Sequence, residues 1–348
     1  MIINSSILLG ENFELVEEGH ILTEEGFIKD AKDGFVPEGI DARNYLIMPS
    51  LINAHTHLGD SFAKEAVLGL SVKDAVGRGG LKWRLYEEVN NGEIVRCMHE
   101  TLRYMLNSGI TVFADFREFG VRGIEQLKNA INGTPIKAII LGRDTNIGEC
   151  DGLGLNIYQL DQIPKDREGK LIAIHAGECR GEIEKALEYK PDILIHFTLA
   201  TPAEMREVAK KKISVVICPR SNLTLGVGLP DVREMLNSGI NISLGTDNVM
   251  INSPNLFREM EFVSKLSYLH DGIPPIEILK MATVNASKAF HLNSGSVDKG
   301  RRADLLFIDK NAPNIRNNKN LISTIIHRCE PENVRKIMVD GKFVVDKD

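Results

Sequence analysis

The middle of this chain repeats one pattern: a short apolar run that stops on a polar residue, then a segment with helical spacing. The runs read as strands at 50–54, 110–116 (ITVFADF), 136–142 (IKAIILG), 152–158 (GLGLNIY), 170–176 (KLIAIHA), 192–198 (DILIHFT), 213–219 (ISVVICP) and 241–247 (NISLGTD). Short, fully apolar strands that alternate with amphipathic helices are the signature of parallel βαβ units. EIVRCMHETLRYMLNSG puts Ile94, Met98, Leu102, Met105 and Leu106 at three- and four-residue spacing and stops at Gly109, which predicts a helix. Another opens at Thr201 and Pro202, with Glu204 in its first turn and lysines in its last, as capping and the helix dipole favour. Eight strands with intervening helices over roughly 250 residues is the count of a (β/α)8 TIM barrel. The fourth strand and its helix rest on a short, Gly-rich stretch, 152–170.

The two ends of the chain have another texture. Residues 1–48 and 300–348 are short strand-like runs broken by glycine and acidic turns. The sequence therefore predicts an α/β fold with a barrel over 49–299 and a small β-sandwich domain assembled from 1–48 and 300–348.

Composition narrows the partners. Lys and Arg total 42 against 48 acidic residues, a net charge of −6, which gives no electrostatic footprint for nucleic acid or an anionic membrane. There is no run of some 18 apolar residues, and the N-terminus lacks the basic and apolar regions of a signal peptide. Five scattered cysteines without a Cys-x-x-Cys pair fit a reducing cytoplasm. The expected partner is a small molecule, and a homo-oligomer is compatible with the composition.

Barrel enzymes place their chemistry at the C-terminal ends of the strands. His55 and His57 follow the first strand; His175 ends the fifth, His196 the sixth and Asp247 the eighth. Alone, His-x-His fits a structural pair as well as a ligand pair. In an extended chain, however, residues two apart point the same way about 7 Å from one another, so both imidazoles can grip one ion. Three histidines and an aspartate with one open position make a catalytic Zn²⁺ or Fe²⁺ site. Glu178, three residues after His175, is placed to pass a proton from water to a leaving group.

The ordered set His55-x-His57, His175-x-x-Glu178, His196, Cys218-Pro219-Arg220-Ser221-Asn222 with Leu225-Gly226, and Gly245-Thr246-Asp247-Asn248 resembles the amidohydrolase superfamily, in its cytosine deaminase and chlorotriazine hydrolase branch. The resemblance runs nearly end to end and includes the NSGITVFADF segment. It implies that His55, His57, His175 and Asp247 hold one divalent metal, Zn²⁺ or Fe²⁺. Glu178 would shuttle a proton, His196 would steady the attacking water or the tetrahedral intermediate, and Asp247 would double as a base. The implied reaction is metal-hydroxide attack on an amidine-like ring carbon, with ammonia released from a heterocyclic base, nucleoside or related compound. Binuclear relatives carry a carboxylated lysine at the end of strand four; here Lys165 and Lys170 fall beyond it, which favours a single ion.

Two other readings use the same residues: ring-opening hydrolysis of a cyclic amide or imidazolone, and an inactive scaffold on the same fold. For substrate binding the candidates are Arg117 and Arg143 at the ends of strands two and three, Arg220, Asn222 and Trp83. Three arginines near a barrel mouth suit a carboxylate or phosphate. The GRGG run at 77–80 lacks the Lys-Ser/Thr step of a phosphate loop and reads as a lid near Trp83. Cys179 and Cys218 are expected to pack as small hydrophobes.

Overall fold

The computed structural model describes residues 1–348 apart from the side chain of His270. The N-terminal strands are β1 (Ile2–Leu9), β2 (Glu14–Glu24), β3 (Phe27–Asp33) and β4 (Ile40–Pro49). The central ones are β5 (Leu51–His57), β6 (Ile110–Arg117), β7 (Lys137–Gly142), β8 (Gly152–Leu155), β9 (Leu171–Ala176), β10 (Ile193–His196), β11 (Ser214–Ile217), β12 (Ile242–Leu244) and β13 (Asp247–Asn248). The C-terminal ones are β14 (Leu305–Asp309), β15 (Val334–Val339) and β16 (Lys342–Asp346).

Strands from both termini form one sheet, in the order β16-β15-β14-β4-β1-β2-β3. Only β1 and β4 pair in parallel. The expected sandwich is a single continuous sheet that curls onto itself. Ile28 N–H donates to Arg301 O and Ala303 N–H to Gly26 O, which ties β3 to the residues leading into β14. Ile3, Ile7, Ile21, Ile47, Leu305 and Phe307, all fully buried, form its apolar filling.

The second sheet runs β12-β11-β10-β9-β8-β7-β6-β5-β13. Its pairings are parallel from β6 through β12 and again between β13 and β5. The two edge strands, β12 and β13, are separated in the chain only by Gly245 and Thr246, so the sheet starts and ends on one stretch of backbone. A Cβ on Gly245 would lie 2.5 Å from His55 Cβ, a separation real Cβ atoms do not adopt; glycine lets the two segments close up. All seven side chains of β5 are buried, as expected of a strand in a parallel sheet covered on both faces.

The crossovers follow the sequence pattern in part. Asn91–Asn107 is helical and buries Ile94, Met98, Leu102 and Met105. The Pro202–Lys211 helix has the expected reciprocal cap: Thr201 Oγ1 accepts from Glu204 N–H, and the Glu204 carboxylate accepts from Thr201 N–H. Between β7 and β8, and between β8 and β9, there are only the 3₁₀ turns Ile147–Glu149 and Ile157–Gln162. Residues 143–151 are too few for a helical crossover, which takes about a dozen.

Two compact units are present. One comprises Met1–Ile52, Met105–Thr111 and Leu256–Asp348; the other comprises Asn53–Tyr104 and Val112–Asn255 and holds every residue of the site described next. Among the described residues no helix is long and apolar enough to cross a membrane.

Candidate metal centre

β5 extends through His57, so both histidines project from the strand itself, where their side chains share a face. The pairing of Asp247 with Thr56 and of Asn248 with His57 brings the Asp247 carboxylate between the imidazoles. Asp247 Oδ1 lies 3.1 Å from His55 Nε2 and 3.5 Å from His57 Nε2, and His175 Nε2 lies 3.3 Å from His55 Nε2. Two overlapping sets, His55–His57–Asp247 and His55–His175–His196, have ligand atoms within 4.8 Å of one another. All of these residues are buried.

Holding them there costs backbone freedom. His196, Phe197 and Asp247 adopt φ of 74°, 53° and 59°, left-handed values that residues with a Cβ avoid. Ser221 Oγ donates to the outer oxygen of Asp247 and fixes its rotamer. On the loop after β9, the N–H groups of Gly177, Glu178 and Cys179 all donate to Glu182 Oε2 at 3.0 Å, a turn that aims Glu178 inward. Glu178 Oε2 stands 3.9 Å from His196 Nε2. The other side of that ring, Nδ1, donates to Asn222 Oδ1 at 2.9 Å, while Asn222 Nδ2 donates to Thr198 Oγ1.

The electrostatics suit cation ligands. Burial drives His55 down to about 3 against the opposing pull of Asp247, and burial with the neighbouring His55 and His196 keeps His175 well below an ordinary histidine. Both therefore offer neutral nitrogen lone pairs. Burial works to raise Asp247, but its hydrogen bond with His55 holds it well below the usual carboxylate range. Burial raises Glu178. His196 is raised because Glu178 and Asp247 outweigh its burial.

Around these ligands lies a layer of buried charge that sequence reasoning missed. His57 Nδ1 donates to Glu118 Oε1 at 2.9 Å; Lys82 Nζ reaches the same oxygen at 2.7 Å and Asp60 Oδ2 at 2.8 Å. Although burial alone would raise Glu118, Lys82 and His57 hold it well below its ordinary value. Glu118 directly follows the end of β6, so the strand-end rule that picked out His175 points to it as well. Nothing in the local sequence marks Lys82 as buried.

A cavity of ≈ 70 Å³ opens beside the cluster; His57, His175, Glu178, His196 and Asp247 line it, as do Arg143, Trp83, Lys82, Glu118, Asn156 and Tyr158. The substrate-binding expectations divide here. Arg143 and Trp83 line the cavity. Arg117 does not: it is fully buried beside Asp115 and Glu118, whose carboxylates match its charge, and its guanidinium occupies the space a side chain on Gly59 would fill. Arg220 turns away to Ser253 O, and Asn222 serves His196. The 77–80 run leads into the Leu81–Glu88 helix that carries Lys82 and Trp83, and Gly77 O accepts from Trp83 Nε1. Cys218 is buried as expected, whereas Cys179 is exposed.

Buried imidazoles, a carboxylate and a glutamate gathered at the strand ends of a nine-stranded parallel sheet mark a metal-dependent hydrolase of carbon–nitrogen bonds. The chain belongs to the amidohydrolase family, whose model matches residues 46–165 and 156–344. It is 33% identical, over 98% of both chains, to a protein of Methanothermobacter thermautotrophicus called a putative aminohydrolase. It is 27% identical to a 5-methylthioadenosine/S-adenosylhomocysteine deaminase of Caldanaerobacter subterraneus, over 100% of this chain and 93% of that one. In fold it is similar to an adenosine deaminase from Xanthomonas campestris solved with bound zinc, with a TM-score of 0.83 at 18% identity over 99% of this chain and 93% of that one.

Proposed function

We propose that the protein removes the exocyclic amino group of a heterocyclic base, nucleoside or related small molecule as ammonia. The observation that carries this reading is the placement of Glu178 and His196 beside the His55–His57–His175–Asp247 cluster, around one cavity. The donor set fits a divalent cation: buried imidazoles and a carboxylate gather in two overlapping sets that share His55, and burial keeps His55 and His175 neutral. One ion, Zn²⁺ or Fe²⁺, suits these ligands; β8 ends at Leu155 without the lysine a second ion would need. When bound, such an ion lowers the pKa of water and supplies a nucleophile near neutral pH.

The chain's own residues do the rest. Asp247 accepts the proton of the attacking water, His196 braces the oxygen as it adds to the ring carbon, and Asn222 sets the tilt of His196. Glu178 takes the other proton of the water and delivers it to the ring nitrogen, and the proton held by Asp247 passes to the departing amine. Water is consumed, the exocyclic C–N bond breaks, and a cyclic amide and ammonia are released. Trp83 offers a flat face to the ring. Arg143 is 4% exposed, and its Nε and Nη2 have no protein partner, which supports an anionic group on the substrate.

The sheet that starts and ends on residues 242–248 supports a closed (β/α)8 barrel over 49–299, with 1–48 and 300–348 as the companion domain. A cytoplasmic location and a homo-oligomer complete this reading. The test is ammonia release by the metal-loaded protein across aminopurines, aminopyrimidines, pterins and anionic adenosine derivatives. Glu178→Gln lowers the rate on the true substrate by about 10²–10⁴-fold. Bound metal with no ammonia from any of them would overturn the deaminase in favour of ring-opening amide hydrolysis.

A further inference from the structure

The four histidines of the cluster differ in what holds their second nitrogen. His175 Nδ1 meets the carbonyl of Leu155 at 3.2 Å, and His196 Nδ1 meets the amide of Asn222. His55 Nδ1 is buried without a hydrogen-bond partner. Only His57 is backed by a carboxylate, Glu118, and that carboxylate is held on both oxygens. Oε1 accepts from Lys82 Nζ as well as from His57, and Oε2 accepts from Arg117 Nη2 at 3.0 Å. Lys82 is 3% exposed and binds Asp60 with its other arm; Asp60 in turn accepts from Tyr86 Oη and Asn248 Nδ2.

The chain Asp60–Lys82–Glu118–His57 thus links four elements: the turn after β5, the Leu81–Glu88 helix, the end of β6 and β5 itself. An ionised acceptor gives a shorter and stronger hydrogen bond than an amide or a carbonyl, and it fixes the imidazole tautomer. With Nδ1 committed to Glu118, the free lone pair of His57 is Nε2, the atom that faces Asp247.

We propose that Glu118 and Lys82 are positioning residues for the metal centre: Glu118 fixes the ring and tautomer of His57, and Lys82 fixes Glu118. The inference rests on the metal-site reading above but needs no particular substrate. Both residues also border the cavity, so the test reads how well the ion is held and not substrate turnover. A buried charge cluster that merely braced the fold would change stability and leave the ion's affinity and spectrum alone.

The experiment loads the apo-protein with Co²⁺ and Zn²⁺, measures affinity by chelator competition and records the visible Co²⁺ spectrum. Glu118→Gln, which keeps the side-chain volume, weakens metal binding by about 10–100-fold and alters the Co²⁺ bands, while apo-state circular dichroism is unchanged. Lys82→Met weakens binding in the same direction, and Lys82→Arg, which keeps the charge, recovers most of it. If Lys82→Met does not fold, the isosteric Glu118→Gln carries the test alone. Wild-type affinity and spectrum in folded Glu118→Gln would overturn the inference while leaving the deaminase reading intact. Failure of the wild-type protein to bind either ion would overturn both.

Discussion

The sheet made from the chain termini and the strand ends of the central sheet bury polar groups in opposite ways. In the terminal sheet the buried polar side chains are neutral and satisfied by backbone: Ser5 Oγ reaches Ala42 O and Tyr45 O, Ser6 Oγ reaches Glu17 O, and Asn4 Nδ2 reaches Val36 O. Its left-handed residues, such as Glu25 and Asp340, sit at hairpin turns. At the ends of β5, β6, β9, β10 and β13 the buried groups are titratable, two of the left-handed residues are His196 and Asp247 themselves, and several nitrogens lack partners. Buried charge and backbone strain destabilise a fold unless something else is gained. The difference teaches which region is built to hold the chain together and which to hold a ligand.

That contrast can be broken most easily from the terminal side. Phe307 is fully buried among the apolar side chains of its sheet and meets the rings of Tyr45 and Phe343. Phe307→Ala is expected to cost about 3–5 kcal/mol of stability. Denaturant unfolding measures the loss, and metal stoichiometry and kcat of the folded fraction should stay at wild-type values. A parallel loss of metal affinity in the folded protein would show that the two regions do not divide the work.

A smaller effect sharpens the comparison from the other side. Burial raises Glu178 above its ordinary 4.5, and the ionised carboxylate is the form that accepts a proton. Activity is therefore present above the raised value and is lost as pH falls through it. The acid limb of kcat/KM should lie above 4.5, and a limb at or below that value would contradict the buried-base role.

The sequence made one part of this site legible and hid another, for a physical reason. His55, His57, His175, His196 and Asp247 each follow an apolar run, and period-two alternation with the strand-end rule is enough to gather them. Arg117 obeys the same rule and yet is internal, because its partners Asp115 and Glu118 come with it and Gly59 leaves room for its guanidinium. Pairings across strands are not written in either strand alone. The break at Gly245 and Thr246 was hidden likewise, since it depends on how closely β5 approaches. The missing helix after β8 was foreshadowed by the short, Gly-rich stretch at 152–170, whereas nothing in residues 143–151 announced the one missing after β7.

The most direct test of the central claim is a metal titration of the apo-protein followed by elemental analysis, with Asp247→Asn beside the wild type. The wild type is expected to hold about one tightly bound divalent ion per chain, the stoichiometry of a hydrolytic site with one open position, and the variant to lose that ion without losing its fold. No bound ion, two ions per chain, or an unchanged ion in Asp247→Asn would contradict that claim.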